Sequence, residues 1–217
     1  MRPRLTRSLV NLAFAVLPLP ALAEAVIEGV VALPSRPVAP APPPRYQPGV
    51  PAPAEPDPPM AVVYLEGEFP AATNSRPRIV QLAQRQQQFR PALLPIQRGT
   101  LVEFPNLDDF YHNVFSYSKP KRFDLGRYLK EEKPAALRFD APGVVRLYCE
   151  IHEHMRGVIL VLDTPYFTKT DAAGRFRLTG APAGRYVLKA WVEEKDVRAS
   201  PVELKLGATV RVNFPAR

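Results

Sequence analysis

Hydrophobic and polar residues alternate with a period of two through much of this chain. The pattern is clearest in the last third, in FRL (176–178), YVLKAWV (186–192), VELKL (202–206) and TVRVNF (209–214). Successive side chains of a strand point to opposite faces. Val202, Leu204 and Leu206 are therefore expected on one face, with Glu203 and Lys205 on the other. Turn signals separate these runs at Ala173-Gly174, Ala183-Gly184 and Leu206-Gly207. Upstream, TLVEF (100–104), ALRFD (136–140), VVRLYC (144–149) and GVILVLD (157–163) also read as strands, as do AVIEGVVAL (25–33) and AVVYLEGEF (61–69). In IVQLAQRQQQF (79–89), Ile79, Leu82 and Phe89 fit one helix face, but Pro91 and Pro95 follow closely and favour an extended reading. Many short strands at this spacing predict an all-β chain of sandwich or barrel type.

Two stretches break the alternation. Residues 34–59 hold twelve of the 27 prolines. Each proline fixes φ and removes a donor, so this stretch reads as an extended spacer or loop. Residues 1–23 combine Arg2, Arg4 and Arg7, an apolar run from 9 to 17, and Ala21-Leu22-Ala23. That is the pattern of a secretory signal cleaved after Ala23. The run is shorter than the roughly 20 apolar residues that span a bilayer, and Pro18 and Pro20 follow it. A periplasmic or otherwise exported protein with no membrane span after cleavage is expected.

Export changes the reading of charge and of cysteine. The signal carries three arginines and no acids, so the formal net charge falls from +8 to +5. A mildly basic body suits steering toward an acidic protein partner. No basic cluster interleaved with aromatics appears, so nucleic acid is not an expected partner. One cysteine cannot close an internal disulfide. A free thiol in an oxidising compartment is protected if a metal occupies it.

That cysteine stands in YCEIHEHM (148–155), together with two of the three histidines and one of the three methionines. Cys149 ends a predicted strand, His152 follows three residues on, Met155 three further, and Gly157 opens the next strand. A tight loop of this kind turns a thiolate, an imidazole and a thioether toward one point. The remaining histidine, His112, lies in DDFYHNVFS after the strand TLVEF. Two imidazoles, a thiolate and a weak axial methionine make the donor set of a mononuclear blue copper site. His154 is an extra imidazole. In place of Met155 it would give a set closer to zinc or to non-blue copper. Three histidines and one cysteine are too few for a multicopper oxidase, a copper nitrite reductase or a dinuclear copper site. A Cys149 nucleophile paired with His152 lacks an orienting third group. No enzymatic activity is expected.

DFYHNVFS together with CEIHEHMRGVILV resembles the cupredoxin family, its amicyanin-like members above all, over about residues 71–163. The resemblance implies a Greek-key β-sandwich with His112, Cys149 and His152 as equatorial ligands of one copper ion and Met155 as the axial one. It also implies that Asn113 ties the His112 loop to the cysteine loop. At Ile151 amicyanin-like members have proline, so this chain has an added backbone N–H in reach of the sulfur.

TDAAGRFRLTGAPAGRYVLKAWVEE (170–194) resembles the carboxypeptidase regulatory-like, transthyretin-related β-sandwich. The C-terminal part alone is short for a sandwich core, and IEGVVAL and AVVYLEG fit that family's first strands. The expected plan is a signal peptide (1–23), a first strand of the second sandwich (24–33), a proline-rich linker (34–59), a strand of the second sandwich or of the copper domain (60–70), a copper domain (71–163) and the rest of the second sandwich (164–217). The whole also resembles exported methylamine-utilisation-like proteins. The expected function is one-electron transfer between redox protein partners, with His152 as the exit route. The alternative is a copper-handling or protein-binding module in which the metal is cargo or structural.

Overall fold

In the computed structural model, residues 24–35, 52–69, 78–132, 134, 136–193 and 195–216 are described. The signal-peptide expectation, most of the proline-rich stretch and residues 70–77 fall outside them. Among the described residues there is no helix, so none is long and apolar enough to cross a membrane.

The chain is all-β. Along it run β1 (Ala25–Val30), β2 (Val62–Glu66), β3 (Ile79–Gln81), β4 (Ala83–Arg85), β5 (Gln88–Arg90), β6 (Leu93–Gln97), β7 (Thr100–Glu103), β8 (His112–Ser118) and β9 (Lys121–Tyr128). There follow β10 (Leu137–Phe139), β11 (Gly143–Tyr148), β12 (Arg156–Leu162), β13 (Phe167–Lys169), β14 (Arg175–Ala181), β15 (Gly184–Glu193), β16 (Asp196–Leu204) and β17 (Thr209–Arg211).

A sheet in the order β6-β12-β11-β8-β9 faces a smaller one in the order β10-β7-β3. Alternation sends Val145, Leu147, Ile159 and Val161 from the first and Val102 and Phe139 from the second into one core. The β4–β5 hairpin closes one end, with Leu82 and Phe89 fully buried. Gly157 lies close against Phe89, and a Cβ there would make a tight contact with that ring at 3.2 Å.

A second core lies between the sheets β14-β1-β17 and β13-β2-β15-β16. β1 pairs with β14 and β17, and β2 with β13 and β15. Two strands from before the metal-ligand candidates thus join strands from after them around Ile27, Val63, Leu65, Phe176, Leu188 and Leu204. Gly174 makes one join possible. Its φ is +78°, and a Cβ there would meet the Val31 carbonyl at 2.1 Å.

The two cores do not merge, but their outer faces meet. Leu93, Leu160 and Leu162 from the β6–β12 side form a third buried cluster with Val62 and Trp191 from the β2–β15 side. β12 is therefore apolar on both faces. Leu206 departs from expectation. β16 ends at Leu204, the chain turns at Gly207 (φ +73°), and Leu206 is left 62% exposed.

Candidate metal centre

β11 and β12 are antiparallel neighbours, and 149–155 is the connection between them. The Met155 N–H donates to the His152 carbonyl at 2.9 Å, which curls the loop into a turn. Cys149 and Met155 are almost wholly buried in the same core, while His152 and His154 are half-buried. His112 opens β8, which lies beside β11, and is fully buried. The neighbouring strand thus brings the distant histidine to the loop.

His112, Cys149 and His152 present ligand atoms that all lie within 4.8 Å of one another. The His112 and His152 Nδ1 atoms face each other at 3.1 Å, and Cys149 Sγ is 3.8 Å from His152 Nδ1. A transition metal bonds nitrogen at about 2.0–2.1 Å and thiolate at about 2.3 Å. Both separations are short enough for one ion to bridge them. Met155 adds a thioether to the wall of the same core.

The residues around the cluster orient it. His112 Nε2 is 2.8 Å from Asp108 Oδ2. A carboxylate only accepts, so Nε2 carries the proton and Nδ1 turns a lone pair toward His152. Burial pushes the Asp108 carboxyl up, but the Gln87 and Gln86 N–H groups and the His112 ring outweigh it and hold it below its ordinary value. Burial is also the main reason both facing imidazoles are hard to protonate. His112 is shifted down despite Asp108, and His152 falls to about 4, helped by His112 and His154. Metals need neutral imidazole, and this pocket keeps it neutral. The Phe110 ring stands edge-on to both imidazoles, at 5.1 and 5.7 Å.

Asn113 accepts from the Glu150 N–H at 3.4 Å and donates to Asp124 Oδ1 at 2.8 Å, so it bridges β8, β9 and the cysteine loop. Ile151 packs against the metal-side core. His154 Nε2 lies 3.2 Å from the Gln87 carbonyl, and its ring stands edge-on to His152 with centroids 6.1 Å apart. Asp108 and Phe110 were not singled out from sequence. DDFYHNVFS contains both, but their roles depend on how its loop folds back.

Beside the cluster an open groove of about 650 Å³ is lined by Cys149, Tyr148, Phe115, Tyr117, Arg146 and Arg156, among others. The Arg156 guanidinium lies over the Tyr148 ring at 4.8 Å, and Phe115 lies between Tyr148 and Tyr117.

No family model and no curated protein matches the chain. Solved structures do. A Cu-containing nitrite reductase from Thermus scotoductus SA-01 is 26% identical over 46% of this chain, with a TM-score of 0.39. The match spans only 26% of that enzyme's length. A purple cupredoxin from Nitrosopumilus maritimus is 23% identical over 38% of this chain and 98% of its own, with a TM-score of 0.34. A reduced amicyanin variant is 21% identical over 46% of this chain and 98% of its own, with a TM-score of 0.36.

Proposed function

We propose that the chain is an exported, mononuclear type 1 copper protein that carries single electrons between redox protein partners. The observation that carries this reading is the convergence of His112 Nδ1, His152 Nδ1 and Cys149 Sγ at one buried point. Met155 stands in the same core. Copper would supply a one-electron couple there. Imidazoles and thiolate suit its oxidised state, and thiolate and thioether its reduced state.

The remaining work falls to the chain. Asp108 fixes the tautomer and angle of His112. Burial keeps both imidazoles neutral. Asn113 holds the cysteine loop to β8, which limits movement when the charge at the site changes. Phe110 packs edge-on against both imidazoles, and Cys149 is buried in the core beside them. His152 is the half-buried ligand and is read as the electron exit. The basic body favours an acidic partner.

In this reading residues 71–163 form the metal domain. The segments 24–33, 60–70 and 164–217 form a carboxypeptidase regulatory-like sandwich around it, and 34–59 link its first two strands. Metal analysis of protein taken from its native compartment, with visible and electron-spin spectra, is the test. One copper per chain, an intense thiolate-to-metal band and reversible one-electron reduction are expected. Rapid copper exchange without a stable coloured form would instead support a copper-handling module.

A further inference from the structure

Residues 54–57 belong to the stretch that connects β1 to β2, both strands of the second core. Hydrogen bonds from this segment nevertheless reach the sandwich that carries the His-Cys-His cluster. The Ala54 N–H donates to the Gln86 carbonyl at 3.0 Å, and Gln88 Nε2 donates to the Ala54 carbonyl at 3.1 Å. The Arg90 guanidinium donates to Asp57 and to the Glu55 carbonyl. The second Asp57 oxygen accepts from the Ala92 N–H at 2.8 Å. The segment grips the β4–β5 hairpin at its turn and at its far end.

The gripped turn is strained. Gln86 and Gln87 have φ of 52° and 55°. This left-handed region is unfavourable for any residue with a Cβ. Two successive N–H groups in such a conformation point the same way and form a concave anion site. The Asp108 carboxylate fills it, taking the Gln86 N–H at 2.7 Å and the Gln87 N–H at 3.0 Å. The oxygen that accepts from Gln87 is also the one that holds His112 Nε2. The Gln87 carbonyl, on the same turn, holds His154.

We propose that residues 54–57 are a clasp that positions the His112 imidazole through the Gln86-Gln87 turn and Asp108. The linker of the second sandwich thereby tunes the metal centre. Asp57 and Arg90 are positioning residues in this scheme. A carboxylate bonded to the far nitrogen of a ligating imidazole raises its basicity and favours the more highly charged metal. Loosening the clasp weakens that bond and favours the reduced metal. The effect on potential rests on the copper reading above, and the effect on the turn does not.

The test compares wild type with Asp57→Ala, which removes both acceptors, and Asp57→Asn, which restores one. In metal-free protein, Asp57→Ala should speed amide exchange at Gln86 and Gln87 about tenfold and hasten solvent exchange of the His112 Nε2 proton. Asp57→Asn should return both toward wild type. In copper-loaded protein, Asp57→Ala should raise the reduction potential, and it should add nothing in an Asp108→Asn background. Unchanged exchange in Asp57→Ala would overturn the clasp. So would a potential shift of equal size with and without Asp108. Failure to bind redox-active copper would overturn the function proposed above, and the metal-free exchange would still decide the clasp.

Discussion

His154 Nε2 lies 3.2 Å from the Gln87 carbonyl and is half-buried there. A carbonyl accepts, so this nitrogen carries a proton and is committed to the β4–β5 turn. The neighbouring His152 instead aims Nδ1 at His112. Two histidines of one loop are thus sorted by their partners.

This sorting predicts how a ligand-set series should behave. Cys149→Ser should abolish the intense visible band of the copper form and most of its copper affinity, since the thiolate is the charge-transfer donor. His154→Ala should leave the band nearly intact. Met155→Leu should keep the band but move the reduction potential, as expected of a weak axial ligand. Loss of colour in His154→Ala, with Met155→Leu unaffected, would reverse the axial assignment.

Leu160 and Trp191 share the buried cluster between the two sandwiches. Leu160→Ala leaves a cavity there and should cost about 2–5 kcal/mol. Trp191 is the single tryptophan, so its fluorescence reports this boundary. Emission and the copper band should be lost in one transition on heating, at a lower temperature in the variant.

Gly174→Ala should cost more than about 2 kcal/mol. The left-handed conformation alone costs a side chain about 1–2 kcal/mol, and the new Cβ would displace the Val31 carbonyl. Urea denaturation measures the loss. Hydrogen exchange should show it first in β1 and β14, because the Val31 N–H donates to the Gly174 carbonyl at 2.8 Å.

The imidazole pair makes metal-free stability depend on pH. In the unfolded chain a histidine protonates near 6.5. In the fold His152 does so only at about 4, and His112 is shifted the same way. Between those values the unfolded chain binds more protons, so stability falls as pH drops from about 6.5 toward about 4 and this loss then levels off. Urea midpoints of metal-free protein at pH 7 and pH 4.5 should separate more in wild type than in His152→Gln.

Alternation exposed the strands whose two faces differ, such as β11 and β14, and it placed Cys149 at a strand end. It did not expose β8, because buried His112, Asn113 and Ser116 make that strand look polar. Their burial is affordable only through partners such as Asp108 and Asp124, which no local pattern encodes. β6 and the first half of β16 were obscured by Pro95 and Pro201. Both strands lie at sheet edges, where a missing donor is tolerated. The His-Cys-His cluster was legible because its ligand types are rare in this chain. The Gln86-Gln87 turn was not, since two glutamines in left-handed conformation make sense only with the Asp108 carboxylate between them and His112.

β12 places Ile159 and Val161 in one core and Leu160 and Leu162 in another cluster, so neither of its faces is polar. The sandwich that carries the His-Cys-His cluster therefore has a blind side. On the copper reading proposed above, a partner would not approach across the sheet where Leu93, Leu160 and Leu162 lie, because the second sandwich stands there, and would be left the loop end around His152 and the flank of β8 and β11. Cutting the chain after Leu162 would not release a self-contained small β-sandwich. It would turn the blind side into an adhesive one, and the fragment would be expected to self-associate through it.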